Sequence, residues 1–263
     1  MNTVEQLTKG LHFGFIDEET TAMGQYAPKL VVNDYKNGVK VLSTIETELK
    51  DCTEFYFSVA FITNSGVQSI INMLDVLQAK GVKGKIITSQ YQNFTQPEAF
   101  RRLLKYDNIE LRIVMEGNFH AKGYIFKKSD LTYSFLIGSS NLTQNALSEN
   151  KEWNLRLSAS EDGAAMRSLV KEFRNTFAEA EIVDEDWLSR YERIYHYVNA
   201  YRNSVVKRNE PAEVIRVNQI LPNKMQKEAL EQLAQLRAEG KDKGLLISAT
   251  GTRYILWTGR KVA

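Results

Sequence analysis

The ten residues FHAKGYIFKK, at positions 119–128, combine an apolar, strand-like pattern with two side chains that can carry chemistry. His120 and Lys122 lie two positions apart, and side chains at i and i+2 of a strand point to the same face. The chain has three histidines in all, and one of them occupies this place. The stretch is therefore predicted to be a strand that presents an imidazole and an ammonium group together.

Two nearby segments repeat this arrangement of polar pairs beside apolar residues. LTYSFLIGSS and EWNLRLSAS both have strand-like patterns; Ser139 and Asn141 lie at the end of the first, and Glu152 and Asn154 at the start of the second. Burying such polar groups without partners costs about 1–3 kcal/mol each. We expect them to hydrogen-bond to one another or to a ligand.

The residue types suit the chemistry of a phosphodiester. A histidine can act as a nucleophile or a proton donor near neutral pH, while a lysine and an amide can bind the non-bridging phosphate oxygens. A carboxylate can orient the imidazole. The sequence shows no cluster of carboxylates or histidines typical of a divalent-metal site, so the predicted chemistry uses no metal and no cofactor. Taken singly, each residue has an ordinary structural explanation, such as capping a turn.

Composition limits the classes of protein that need to be considered. The chain has 263 residues, of which 43% are hydrophobic and 25% charged, enough for one large domain with an appendage or for two small domains. Its net charge of +2 gives no general argument for nucleic-acid binding. The single cysteine, Cys52, excludes an intrachain disulfide and fits a reducing compartment. No apolar run reaches the roughly 20 residues of a membrane span, so a cytoplasmic protein without a membrane partner is predicted.

The periodicity of the chain changes near its middle. Up to Met115, helical patterns alternate with strands such as EFYFSVAFI, VKGKIITS and IELRIVM; Gly81 ends one helix and Pro97 begins another. Such alternation is typical of a mainly parallel sheet covered by helices. After Met115 the strands follow one another closely, as in antiparallel sheets. The predicted fold class is α/β, with a mixed β-sheet flanked by helices and followed by a helical C-terminal extension.

The predicted organisation has four parts. They are an irregular N-terminal segment packing on the core (1–36), the main domain (37–182), a helical extension (183–210) and a C-terminal segment (211–263). The extension carries Trp187, Tyr191, Ile194, Tyr195 and Val198 at spacings of three and four, which predicts a packed amphipathic helix.

At this point the motifs resemble a known family. HAKGYIF, followed by GSSNLTQNALSENKEWN, is similar to the phospholipase D superfamily signature HxK…GSxN in its nuclease branch, where a glutamate follows the asparagine by eleven residues. The resemblance covers roughly residues 38 to 180 and includes the earlier alternation of strands and helices. It implies that His120 attacks phosphorus to give a phosphohistidine intermediate. Lys122 and Asn141 would bind the phosphate oxygens, and Glu152 would hold the His120 ring.

The roles of other residues in and near the motif follow less directly from the resemblance. Ser139 is expected to support phosphate binding, and Asn154, paired with Glu152, is predicted to contact the substrate. The family motif has an aspartate five residues after the lysine, where this chain has Lys127. Either Asp130 takes its place in an extended hairpin, or the aspartate is absent, as in some nuclease members.

The motif occurs once in the chain. His12 and His196 have no lysine two positions later. Members of the family with two motifs build the site from both, so the resemblance implies a homodimer in which two His120 side chains meet across a two-fold axis. One would be the nucleophile and the other the acid that protonates the leaving oxygen.

The C-terminal segment resembles the entrance to a superfamily II helicase motor. In LPNKMQKEALEQLAQLRAEGKDKGLLISATGT, Gln226 matches a glutamine that contacts adenine, and ATGT matches the start of the phosphate loop. The loop's lysine and threonine are missing after Thr252, so we expect a motor truncated within this motif, without ATPase activity. A helix-surface glutamine and a plain turn are the alternatives. A longer relative would carry an ATP-dependent motor domain.

Together these features favour a metal-independent phosphodiesterase, an endonuclease acting on DNA as a homodimer in a restriction or repair setting. The alternative is a catalytically inactive DNA-binding or assembly module of a helicase. A lipid or phosphatidyl-transfer enzyme ranks below both, because the chain has one motif and no membrane anchor. The motifs are compatible with single-stranded DNA, double-stranded DNA or RNA as the substrate, and they carry no prediction about sequence specificity.

Overall fold

The computed structural model describes residues 2–34, 36–90, 94–115 and 119–207, with a few positions between 232 and 240. The chain divides into two units, 1–209 and 210–263, and the elements below belong to the first. Gln226 and the ATGT stretch, on which the helicase resemblance depends, lie outside the described residues. Among the residues that are described, no helix is long and apolar enough to cross a membrane.

The described residues form one eight-stranded sheet and seven helices. The strands are β1 (Lys29–Val31), β2 (Cys52–Val59), β3 (Lys83–Ser89), β4 (Ile109–Val114), β5 (Lys122–Lys128), β6 (Thr132–Gly138), β7 (Asn154–Ser160) and β8 (Glu181–Ile182). The helices are α1 (Thr3–Phe15), α2 (Val41–Lys50), α3 (Asn64–Ala79), α4 (Pro97–Leu103), α5 (Gln144–Ser148), α6 (Ala164–Glu179) and α7 (Glu185–Lys207).

The sheet is mixed, as the change of rhythm in the sequence predicted. Its strand order is β1-β7-β6-β5-β2-β3-β4-β8. β2, β3 and β4 are parallel to one another, because helices α3 and α4 provide the crossovers between them. β5, β6 and β7 are joined by antiparallel pairing, and β5 lies antiparallel against β2. The predicted fold class, a mixed sheet flanked by helices, is confirmed.

Helices cover both faces of the sheet. On one face, here called the α2 face, helices α2, α3, α4 and α7 bury a core that includes Phe57, Phe126 and Leu136. On the opposite face, the α6 face, helix α6 packs Phe173 against Tyr56. Because neighbouring strand residues alternate between faces, the central strands are apolar on both sides.

Helices α2 and α3 lie where the sequence predicted the first two helices of the main domain. Helix α3 packs tightly against the loop after β6. Thr63 caps α3 by accepting a hydrogen bond from Gly66 N at 3.1 Å. A side chain at Gly66 would overlap the carbonyl group of Leu142, so only glycine allows this approach. The same glycine therefore holds α3 against the residue that follows Asn141.

Helix α7 packs into the main core through Trp187, Tyr191 and Tyr195, which confirms the predicted amphipathic helix at this point of the chain, although Ile194 is exposed. Trp187 stacks on Tyr191 with ring centroids 4.9 Å apart, and both rings meet Phe100 of α4 edge-on. The Tyr191 hydroxyl also donates to the carbonyl oxygen of Thr95 at 2.7 Å. The helix is thus fixed by aromatic packing and by a buried hydrogen bond.

The N-terminal segment is not irregular throughout, which corrects the prediction for residues 1–36. Helix α1 spans Thr3–Phe15, and a capping box starts it: the Asn2 side chain accepts from the backbone, and the Glu5 carboxylate accepts from Asn2 N. Gly10, which favours a turn when read locally, instead lets the helix lie directly on the backbone of Tyr26. The glycine serves close packing rather than a helix break.

Candidate active site

The predicted site residues lie where four strands begin or end at one edge of the sheet. β5 runs antiparallel to β2, so Lys122 at its start is the registered partner of Val59 at the end of β2. In the same way Gly138, at the end of β6, pairs with Asn154 at the start of β7. The chain segments just outside these strands therefore converge at this edge.

His120 and Lys122 are brought into contact. His120 is exposed and precedes β5, and Lys122 is the first residue of the strand. The Lys122 Nζ lies 2.7 Å from His120 Nδ1 and 3.0 Å from Nε2, and it donates to the His120 carbonyl oxygen at 2.8 Å. The two side chains therefore act as one unit, although His120 lies just before the observed strand and not within it as the sequence predicted.

The electrostatics of this pair favour a neutral imidazole. Partial burial and then the charge of Lys122 lower the pKa of His120 below its ordinary value. Burial likewise lowers the pKa of Lys122, while the Glu152 carboxylate opposes that shift. The surroundings therefore favour a ring with an unprotonated nitrogen at neutral pH, the form that a nucleophilic histidine needs.

Ser139 and Glu152 form a second pair at the same edge. The Ser139 hydroxyl donates to the Glu152 carboxylate, and the same hydroxyl accepts from Trp153 N at 3.1 Å. Ser139 N donates to the Trp153 carbonyl oxygen, also at 3.1 Å. Glu152 is thus held by the GSSN segment and acts electrostatically on Lys122. Its role in holding the His120 ring stays a prediction.

The side chain of Asn141 is oriented by the backbone just after the end of β2. Its side-chain oxygen accepts from Phe61 N at 3.3 Å, and the residue is 7% exposed. The amide nitrogen makes no hydrogen bond with the described part of the chain. Because the oxygen is occupied by a backbone donor, the amide group is oriented to use its N–H groups, which suits a phosphate oxygen.

Asn154 is not brought into this group. It is 2% exposed, its Oδ1 accepts from Ser140 N at 3.4 Å, and its Nδ2 donates to Ser140 Oγ at 2.9 Å. The amide therefore clamps the GSSN segment from the α2 face, and its contact with substrate stays a prediction. Asn154 is not placed beside Glu152 as expected, because β7 begins at Asn154 and strand alternation does not extend back to Glu152.

Asp130 lies at the far end of β5 from His120. Its carboxylate accepts from the Tyr26 hydroxyl at 2.9 Å and from Thr132 Oγ1 at 2.6 Å. Both contacts stabilise the turn between β5 and β6. The structure therefore gives Asp130 a structural role in the hairpin, distant from the candidate site.

Two residues at this edge of the sheet, Phe61 and Trp153, were not predicted from the sequence. The backbone of Phe61 orients Asn141, and no local pattern predicts a contact across this length of chain. Trp153 follows Glu152 directly and is 74% exposed, an unusual state for a large aromatic side chain. The sequence feature that could have indicated Trp153 is its position between two polar residues, Glu152 and Asn154. Among the described residues, no group of three or more His, Cys, Asp or Glu side chains could hold a metal ion.

Comparison with known proteins identifies the family. The model for the cardiolipin synthase, PLD-like domain matches residues 46–180, just over half of the chain. The chain therefore belongs to the phospholipase D-like family. Comparison with curated proteins gave no match.

Three solved structures are similar to the chain. NucT from Helicobacter pylori is 16% identical over 59% of this chain and 98% of its own, with a TM-score of 0.47. The phospholipase D family member Nuc from Salmonella typhimurium is 19% identical over 60% and 99%, with a TM-score of 0.45. Phosphatidylserine synthase from Haemophilus influenzae is 13% identical over 69% and 44%, with a TM-score of 0.49.

Removing the charge of Lys122 should raise the pKa of His120. In Lys122→Met the ring loses a neighbouring positive charge, which disfavours the imidazolium form, so its titration should move towards higher pH. An NMR pH titration of the His120 ring signal measures this, with His120→Ala used for assignment. Lys127→Met, on the same strand but paired with Glu54, is the control and should leave the titration unchanged. A lower or unchanged pKa in Lys122→Met would contradict the assigned cause.

Proposed function

We propose that the chain is a metal-independent phosphodiesterase that cleaves DNA through a phosphohistidine intermediate. The observation that carries the proposal is the contact between His120 and Lys122 at an open sheet edge, beside Asn141 and the Ser139–Glu152 pair. Membership of the phospholipase D-like family supports phosphodiester chemistry. A DNA substrate is supported by the nuclease-type spacing from Asn141 to Glu152 and by the helicase-like C-terminal sequence.

The first step forms a bond between His120 and phosphorus. An unprotonated ring nitrogen of His120 attacks, and the bond from phosphorus to the leaving oxygen breaks. Lys122 and the Asn141 amide nitrogen stabilise the negative charge on the non-bridging oxygens. An acid donates a proton to the leaving oxygen. In the second step water attacks phosphorus, the bond to His120 breaks, and the acid, now a base, recovers a proton from the water.

The acid of the first step is proposed to be His120 of a second copy of the chain. The other two histidines have different surroundings: His12 Nδ1 lies 2.8 Å from the Thr20 hydroxyl in the N-terminal segment, and the His196 ring packs edge-on to Tyr195 on α7. Neither has a lysine two positions later. In a homodimer, His120 of the second copy supplies this acid, and it has the same surroundings as the His120 that attacks phosphorus.

An exposed apolar surface next to the site supports the homodimer. We call it the edge patch, and its residues are Leu30, Ile137, Trp153 and Leu155. Leu155 of β7 is registered with both Leu30 of β1 and Ile137 of β6, so these three side chains form a row across the sheet. They are 37–62% exposed, and Trp153 extends the row towards Glu152. An apolar row of this kind, continuous with an incomplete site, suits a second copy of the chain.

DNA cleavage should persist in EDTA and depend on His120. Because the proposed nucleophile is a side chain, chelation should leave the rate unchanged, while His120→Ala should lower it by about 10³-fold or more. His196→Ala is the matched control and should cleave like the native chain. The assay follows single-stranded DNA, double-stranded DNA and RNA in parallel, which identifies the preferred substrate.

Two results of this assay would count against catalysis. Equal cleavage by the native chain and His120→Ala would place the chemistry elsewhere. DNA binding without turnover of any of the three substrates would favour the alternative, a catalytically inactive DNA-binding or assembly module.

Charges introduced in the edge patch should separate the dimer. Ile137→Lys with Leu155→Lys would bring two cations into an apolar contact, so analytical ultracentrifugation should report a monomer, and cleavage should fall with it. Val76→Lys, at a 43% exposed apolar position on α3, is the control and should remain dimeric. A native chain that cleaves DNA as a monomer, or a double variant that stays dimeric, would overturn the proposed assembly.

We further propose that residues 211–263 are the start of a helicase motor without a working phosphate loop. The support is the spacing from Gln226 to ATGT, followed by Tyr254 and Ile255 where the loop's lysine and threonine would stand. Since the triphosphate then lacks its main cationic contact, ATP should not be hydrolysed and should not change the rate of DNA cleavage. A phosphate-release assay with and without DNA measures this. ATP turnover by the purified chain would contradict the assignment.

A further inference from the structure

A polar cavity lies at the end of the strands opposite His120. It encloses about 750 Å³ between α2, the segment around Tyr26 and strands β5, β6 and β7. Its strand residues include Lys128, which lies six residues from Lys122 along β5, a separation of about 20 Å. The volume falls within the range of roughly 300–1,000 Å³ typical of small-molecule sites. The cavity is therefore separate from the candidate active site.

The floor of the cavity carries a buried excess of positive charge. The Glu48 carboxylate of α2 forms one salt bridge with Lys128 Nζ at 2.9 Å and another with Arg156 Nε at 3.0 Å. Burial opposes ionisation of Glu48, but the two cations outweigh it and hold its pKa below the ordinary value. One carboxylate thus faces two cations, and all three side chains are at most 17% exposed. Buried charge of this kind is stabilised by a counter-ion.

The terminal nitrogens of Arg156 have capacity left to bind a ligand. Its Nη1 makes one long hydrogen bond, 3.5 Å to the Ala27 carbonyl oxygen, and its Nη2 makes none with the described residues. A guanidinium has five N–H donors, so this group can still bind an anion with two parallel hydrogen bonds.

Ser134 supplies an independent indication of a ligand. It is 1% exposed, it lines the cavity from the central strand β6, and its hydroxyl has no hydrogen-bond partner among the described residues. Ser158 is its registered neighbour on β7, and the Ser158 hydroxyl is already bonded to Gln25 O at 2.9 Å. A buried hydroxyl without a partner is unfavourable. Because Ser134 lines the same cavity as Lys128 and Arg156, its hydroxyl is available to donate to an oxygen of an anion bound there.

The wall formed by α2 is also polar. Ser43, Thr44 and Thr47 line the cavity from successive turns of this helix. Across from them, the Tyr26 hydroxyl is tied to Asp130, which fixes the opposite wall. A ligand that fills the cavity would therefore meet hydroxyl groups around a cationic floor, with the Asp51 and Asp130 carboxylates also in the lining.

We propose that this cavity binds a small organic anion whose carboxylate or phosphate group lies on Lys128, Arg156 and Ser134. The polar remainder of the ligand would bond to the hydroxyls of α2. The site is distinct from the phosphodiester site and does not depend on the DNA-cleaving function proposed above. Its position under α2, which packs on the strands that carry the catalytic edge, would let the ligand stabilise the sheet from its other end.

Anion titrations monitored by NMR test this proposal. Inorganic phosphate and acetate are added separately at constant ionic strength, with chloride as the balancing salt, and backbone amide signals are followed. Binding in the cavity should shift the signals of β6 and β7 around Ser134 and Ser158. The two anions distinguish a phosphate site from a carboxylate site. Shifts confined to the residues around Lys122 and Asn141, with either anion, would overturn the proposal.

Two variants and a control separate binding from folding. Lys128→Met should weaken the binding of the better anion by about tenfold or more, because one of two cations is lost while Glu48 keeps Arg156. Ser134→Ala should weaken it severalfold while leaving the chain at least as stable to heat, because an unpaired hydroxyl is removed. Lys171→Met, on an exposed part of α6, should bind like the native chain. Unchanged affinity in Ser134→Ala and in folded Lys128→Met would overturn the assignment.

Discussion

The antiparallel pairing of β5 with β2 is the constraint on which the rest of the structure depends. Seven registered pairs join the parallel half of the sheet to the antiparallel half. Phe57 of β2 meets Tyr124 and Phe126 of β5 edge-on, with ring centroids 4.9 and 5.9 Å apart, so the register is fixed by interlocking aromatic rings. A slip of one residue would turn Lys122 to the α6 face and separate it from the loop that holds Asn141.

Much of the fold and part of the site could be predicted because they depend on short-range periodicity. The aromatic and β-branched runs identified the central strands, and the change from alternating elements to closely spaced strands identified the mixed sheet. The spacing of His120 and Lys122 placed the two side chains together. The same reasoning did not place Asn154 correctly relative to Glu152, because alternation holds within a strand and a strand's first residue cannot be located to one position from its pattern.

What could not be predicted depends on contacts between distant parts of the chain. Helix α1 was not predicted because Gly10 favours a turn locally. The close contact between Gly10 and the backbone of Tyr26, which explains the glycine, is visible only in the folded chain. The edge strands β1 and β8 have three and two residues, too few to show a period. Asn141 is oriented by Phe61, eighty residues earlier. The cavity is assembled from α2, β5 and β7, and no one of these segments alone indicates that Glu48 is shared by two cations.

The aromatic contact between α7 and α4 shows that the folding unit is larger than the segment by which the family is identified. The family match ends at residue 180, and Trp187 and Tyr191 lie beyond it. Yet these rings cover Phe100, which is fully buried in the core. A fragment that ended at the family boundary would expose that ring to water. In any exchange of domains between genes, the family domain could be transferred with its core intact only together with the helix that follows it.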